Sequence, residues 1–177
     1  MPTVNFGTVR RRIRVMAQPF LSPIRAVLKR VMPDLTPNKF IGPFGPYKLD
    51  QSFVFSDFAS WGELHNRGFM RLIEEACGKR CIYDVGAHVG LTALPLASMS
   101  PSGLVVAFEP GERNYELLKF HSKINRLSNL RCERLLVGGY ESNGGVRFYD
   151  DAEVSGMNSI IRHTGCDSRA RDDIPMV

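Results

Sequence analysis

Apolar and polar residues alternate along this chain with two different periods, and the change of period marks the elements. Phe69, Leu72, Ile73 and Ala76 recur at helical spacing, which predicts a helix over about 65 to 77, with Gly78 as its C-terminal cap. Cys81 to Val85 then reads as a short buried strand, and glycines at 86 and 90 bracket a turn into a helical segment from Leu91 to Ser98. Pro95 weakens that helix unless it starts late, because a proline in a helix interior removes an amide and costs about 3 kcal/mol. Leu104 to Phe108 is an uninterrupted apolar run behind Pro101-Ser102-Gly103, as expected of a strand covered on both faces. Glu112 to Asn125 has Tyr115, Leu118 and Ile124 on its apolar side and reads as a surface helix. Leu130 to Val137 supplies a third strand. Asn143-Gly144-Gly145 opens a hairpin in which Val146, Phe148 and the stretch from Ser159 to Ile161 are extended.

Strand, helix, strand, helix, strand implies parallel pairing, since parallel strands need a connection long enough to return over the sheet. The expected class is α/β, a Rossmann-like parallel sheet flanked by helices. In such sheets ligands bind beyond the carboxyl ends of the strands, which directs attention to residues 84 to 90 and 109 to 114. At 177 residues, with 44% hydrophobic and 23% charged side chains, the chain suits one ordinary globular domain. No apolar stretch reaches the roughly 20 residues of a membrane span.

Charge changes the picture at one end only. Residues 1 to 50 carry nine basic side chains against Asp34 and Asp50, so the net +5 resides there and the remainder is slightly acidic. Seven of the eleven prolines fall in the same stretch, which therefore reads as a leader (1–50) ahead of a pre-domain segment (51–80) and the domain proper (81–177). A nucleic-acid-binding core would carry its own basic face, so nucleic acid is not an expected partner. Ile13, Phe20, Leu21, Ile24, Val27 and Leu28 interleave with arginines in the leader. That pattern has two readings, a peripheral contact with an anionic membrane surface or a helix packed on its own domain with solvated arginines. Cys77, Cys81, Cys132 and Cys166 lack zinc spacing, and no secretory signal precedes them, so reduced cysteines in a cytoplasmic protein are expected and no metal site.

The stretch Asp84-Val85-Gly86-Ala87-His88-Val89-Gly90 is the most informative. Its glycines permit positive φ and let a ligand approach the backbone. It is neither the dinucleotide fingerprint nor a P-loop, and it places a carboxylate before the turn, suited to a cationic or neutral group rather than to phosphate. Glu109 ends the next strand, and Pro110 after it holds it extended. An acid at that point suits the two hydroxyls of a ribose, although a solvated carboxylate near a helix start would look the same. Together the two features point to a ribonucleoside cofactor. His65 is either a proton acceptor or a packing residue; His121 and His163 form no constellation with a nucleophile, and hydrolase chemistry has no support.

The segments Tyr83 to Gly90, Ala107-Phe108-Glu109-Pro110, Asn114 to Leu118 with Asn125, and Ser155-Gly156-Met157-Asn158-Ser159 resemble the FkbM-type S-adenosylmethionine-dependent methyltransferases. Phe53 to Phe58, Trp61-Gly62 and His65-Asn66 are similar to the region before the domain in some members, and the resemblance covers about 50 to 165. It implies S-adenosyl-L-methionine as cofactor, with Asp84, Gly86, Ala87, His88 and Gly90 along its methionine and ribose and Glu109, set by Pro110, on the ribose hydroxyls. The reaction implied is methyl transfer to a hydroxyl of a sugar, polyketide or other small-molecule or glycan acceptor, with no metal. Residues near Val137 and Gly138 would approach the adenine, and Ser155 and Asn158 the acceptor. His88 stands where the family more often has asparagine. The family's later Asp-x-Glu-Gly strand has no counterpart, so the sheet is expected to stop after its third strand and a β-hairpin. A noncatalytic nucleoside-binding or interaction fragment is the alternative on these grounds.

Overall fold

A computed structural model describes residues 38–50, 58–138, 146–151, 160 and 168–176. The leader before residue 38 and the segment around Ser155 and Asn158 lie outside these described residues. The chain divides after Thr36, and everything described belongs to the second unit.

The centre is a three-stranded parallel sheet of β3 (Cys81–Val85), β4 (Leu104–Phe108) and β5 (Leu130–Glu133). Two helices connect the strands, α2 (Ala93–Met99) and α3 (Glu112–Ile124), and α1 (Glu63–Ala76) precedes them. This is the α/β, Rossmann-like arrangement that the alternation implies. The register is unbroken: Cys81 to Val85 align one to one with Leu104 to Phe108, so the tips of β3 and β4 end side by side.

Pro95 is accommodated because α2 begins only at Ala93, after Thr92 as its cap residue. The proline thus occupies the first turn of the helix, the part of a helix where proline is tolerated. Helix α1 buries Phe69, Ile73 and Ala76, and Gly78 follows it with φ +74, the left-handed termination its sequence predicts.

Three expectations need correction. Strand β3 is not buried: Tyr83 and Val85 are 67% and 57% exposed, because within the described sheet β3 is an edge strand with one uncovered face. Strand β5 ends at Glu133, and residues 134 to 137 carry only a single bridge, Leu136 to Met176. Strand β6 (Val146–Asp151) does pair antiparallel, but with β7 (Ser168–Ile174), a segment whose density of charge hides it. The turn at Asn143 to Gly145 and the stretch Ser159 to Ile161, residue 160 apart, lie outside the described residues.

Residues 38 to 50, grouped with the proline-rich leader by composition, form a hairpin of β1 (Asn38–Ile41) and β2 (Phe44–Lys48). Ile41, Tyr47 and Leu49 join the same core as Ile73, Leu94, Leu96, Val105 and Leu118. Pro43 lies in the two-residue turn and Pro46 in a two-stranded ribbon, positions where a missing amide is tolerated. The hairpin's exit is tied down by polar bonds. Asn125 accepts the Lys48 amide at 2.8 Å and donates to its carbonyl at 2.9 Å, and Tyr47 shares a 2.6 Å hydrogen bond with Ser98.

His121 completes this tie from the core. Its ring is fully buried, with Nε2 accepting the Asp50 amide at 2.8 Å and Nδ1 2.8 Å from the Val89 carbonyl. A carbonyl only accepts, so Nδ1 carries the proton and the tautomer follows from the partners.

Candidate functional site

The tips of β3 and β4 build the site mostly from main chain. Phe108 O accepts both the Gly86 and the Ala87 amide at 2.9 Å, and the His88 amide donates to Glu109 Oε2 at 2.8 Å. Three successive amides of the glycine turn are therefore spent on the neighbouring strand. Phosphate-binding turns need such amides pointed at the ligand. These three amides are not available to a phosphate group, and the carboxylates of Asp84 and Glu109 lie beside the turn.

Glu109 is 4% exposed and joins both loops. While Oε2 takes the His88 amide, Oε1 accepts the Gly111 amide at 2.9 Å and the Asn114 side chain at 3.5 Å. Burial raises its pKa, the bonds from Gly111, His88 and Asn114 pull it back, and the nearby Asp150 charge raises it again. Each carboxylate oxygen can accept two bonds, so Oε2 retains capacity for one further donor. Pro110 is buried behind it.

Asp84 differs. Its Oδ2 is buried with no hydrogen-bond partner, and burial together with the Glu109 charge pushes its carboxyl up to about 6. An unpaired buried acceptor is costly, about 1 to 3 kcal/mol and more when charged. A bound donor or cation would relieve it. The raised value also fixes a sign: the extra stability belongs to the protonated form, is fully present below the unfolded-state pKa near 4, and is lost as pH rises through about 6. Asp84→Asn should therefore gain stability over the native chain by about 2 to 3 kcal/mol on going from pH 4 to pH 8. Urea denaturation at the two pH values checks this; a difference independent of pH would place Asp84 in solvent.

Two glycines of the turn have distinct roles. Gly86 has φ +77 and open space where a Cβ would stand, so its main chain faces the cavity. Gly90 has φ +95, and a Cβ there would lie 2.8 Å from Leu118 Cδ1, a buried core atom. Gly86 thus keeps the site open, whereas Gly90 lets the turn pack against Leu118 of α3. His88 also has positive φ, +51, a conformation in which histidine and asparagine are several-fold enriched among non-glycine residues.

A cavity of about 400 Å³ opens over the turn. Gly86, Ala87 and His88 form one side, Trp61 and His65 another, with Leu91 and Thr92 completing it. Of the residues expected at the site, Gly86, Ala87 and His88 line the cavity, Glu109 and Asp84 lie beside the turn without lining it, and Gly90 and Pro110 are buried. Trp61, Leu91 and Thr92 were not singled out individually for chemistry. Trp61 had one available signal, as the sole tryptophan of the chain next to a glycine, just before the α1 pattern.

A second charged group meets the start of α3. Asp150 Oδ2 accepts the Glu112 amide at 3.1 Å and lies 3.5 Å from Arg171 Nε, while Arg171 also pairs with Glu112. The β6–β7 ribbon is thereby fastened to the same helix start that Glu109 caps through Gly111. Among the described residues no His, Cys, Asp and Glu cluster could hold a metal, and no helix is long and apolar enough to cross a membrane.

No protein-family model matches the chain, and no curated protein matches it. Solved structures do overlap with it in part. TYW2 from M. jannaschii in complex with AdoMet is 23% identical over 55% of this chain and 48% of that one, with a TM-score of 0.39. Coclaurine N-methyltransferase bound to N-methylheliamine and SAH is 15% identical over 51% and 28% of the two chains, with a TM-score of 0.37. YcgJ from Bacillus subtilis is 16% identical over 46% and 35%, with a TM-score of 0.38. The chain spans between about a quarter and a half of the length of these proteins. The parallel strand order, not these partial overlaps, defines the fold.

Proposed function

We propose that the described domain binds S-adenosylmethionine at the tips of β3 and β4 and belongs to an O-methyltransferase of the FkbM type, acting on a hydroxyl of a small-molecule or glycan acceptor. The single observation that carries this reading is the buried, partnerless Oδ2 of Asp84 beside Glu109, over a turn whose amides are already engaged. That combination disfavours pyrophosphate and favours a ligand bearing hydroxyl donors and positive charge. S-adenosylmethionine has both, and when bound it supplies a methyl group activated on a sulfonium.

The residues present fit that group. Asp84 would hold its ammonium or a hydroxyl, Gly86 would admit it close to the main chain, and Glu109 Oε2 would take a ribose hydroxyl with its remaining lone pair. Leu91 and Ala87 would keep water from the reacting end. The methyl donor needs only alignment and a dry crevice from such a site, because the chemistry is the cofactor's own. The acidic pair also sets a pH dependence. Asp84 must be ionised to hold a cation, so affinity should rise by about tenfold as pH goes from 5 to 7 and level off above.

Titration calorimetry with S-adenosylmethionine and, separately, NAD tests the assignment. Binding of the first, weakened at least tenfold in Asp84→Asn and about tenfold at pH 5 relative to pH 7, is the expected result. Preference for NAD, or binding indifferent to Asp84, would overturn it.

A further inference from the structure

Trp61 and His65 belong to no part of the cofactor assignment above, yet they form the wall facing the glycine turn. Their rings are fixed. Trp61 packs against Phe58 at 5.1 Å between centroids, against Phe69 at 5.8 Å edge to face, and against His65 at 5.1 Å with an interplanar angle of 85°. Phe69 is buried in the core and Phe58 packs against it. The indole is thus held from the core side while its own residue is only partly covered. Such a ring, rigid and bordering a cavity of ligand size, has a defined preference. Its π face attracts cations within about 6 Å, most strongly for tryptophan and most of all for poorly hydrated organic cations. Across the cavity stands the turn that follows Asp84, and among the described residues no lysine or arginine lines the space between.

We infer that Trp61 is a specificity residue for positive charge: its indole, braced by Phe58, Phe69 and His65, makes the cavity prefer a sulfonium to the corresponding neutral thioether. The inference rests on the reading that S-adenosylmethionine binds at this turn. It adds that the wall from the start of α1, and not only the strand tips, distinguishes the loaded cofactor from its demethylated product. A site with this bias releases S-adenosylhomocysteine more readily than it releases S-adenosylmethionine, which favours turnover over product inhibition.

The chain has one tryptophan, so emission from Trp61 reports the cavity directly. S-adenosylmethionine and S-adenosylhomocysteine are titrated against the native chain, Trp61→Leu, Trp61→Phe and His65→Gln by calorimetry, with fluorescence followed wherever the indole remains. The native chain should favour the sulfonium, and its emission should change on binding. Trp61→Leu should lose about fivefold in affinity for S-adenosylmethionine with little change for S-adenosylhomocysteine, and Trp61→Phe should retain about half of the preference. His65→Gln removes one of the rings that brace the indole and should reduce the preference, by less than Trp61→Leu does. Circular dichroism of each variant confirms that it is folded, and Trp61→Phe stands in should Trp61→Leu not fold. Equal losses for both ligands, or binding without any change in Trp61 emission, would overturn the inference while leaving cofactor binding intact. Failure of the native chain to bind either ligand would instead remove the methyltransferase reading itself, and this inference with it.

Discussion

Glu109→Ala should lower the unfolding free energy by about 2 to 5 kcal/mol and abolish binding at the glycine turn. The carboxylate accepts the amides of His88 and Gly111 and the side chain of Asn114 inside a site where water does not replace it. Truncation leaves two main-chain donors without partners, each costing about 1 to 3 kcal/mol, and also removes the link between two loops. Glu109→Gln separates the contributions. The amide keeps the volume and one acceptor, but its NH2 group must face one of the two main-chain donors, so less than half of the lost stability should return. Urea denaturation of both variants provides the measurement. If Glu109→Ala stays within 1 kcal/mol of the native chain, the loops are held by the Gly86 and Ala87 bonds to Phe108 alone, and Glu109 has no part in shaping the turn.

His121→Ala should be of similar severity, about 3 to 5 kcal/mol, because it combines an emptied core position with the loss of two buried hydrogen bonds. His121→Phe separates these in turn. It fills the volume yet leaves the Asp50 amide and the Val89 carbonyl unpaired, and should cost about 2 to 4 kcal/mol. Native-state hydrogen exchange locates the effect. The Asp50 amide should exchange much faster in either variant, while amides of Val105 to Ala107, in the central strand, should follow only the drop in global stability. Unchanged protection at Asp50 would mean that the β1–β2 hairpin is held by Asn125 and Tyr47 without help from the histidine.

These two residues also show what the sequence does and does not disclose. Strands β3 and β4 are legible to the residue, because each is a compact run bounded by turn-forming residues. Glu109 is legible as a functional candidate because an acid before proline at a strand end is unusual. Its structural duty is not legible, since nothing in a sequence tells which main-chain amides a carboxylate will meet. His121 fails for a related reason. The inward side of α3 is Asn114, Leu117, Leu118, His121 and Ser122, so three of its five buried residues are polar. An apolar count therefore rotates the predicted face toward Tyr115 and Ile124, both only half-buried. Polar residues enter a core when their bonds are satisfied there, and those bonds come from segments distant in the chain.

The β1–β2 hairpin was hidden by composition. Proline and charge density describe the first 50 residues as one stretch, whereas Ile41, Tyr47 and Leu49 are core residues spaced too sparsely for a periodicity to reveal them. Likewise β7, with two arginines and two aspartates among its seven residues, has no hydrophobic alternation to read. It is a strand because β6 and the charges at the start of α3 hold it there.

At position 88 the task of the residue is divided between its two halves. The amide secures the turn, and the left-handed backbone restricts the choice to a few side chains, but the bond to Glu109 is indifferent to which of them is present. Its side chain, meanwhile, borders the cavity. Asparagine, aspartate or glycine suit the same backbone, so a substitution at this one codon changes what the cavity meets while the main-chain bond that shapes the turn stays.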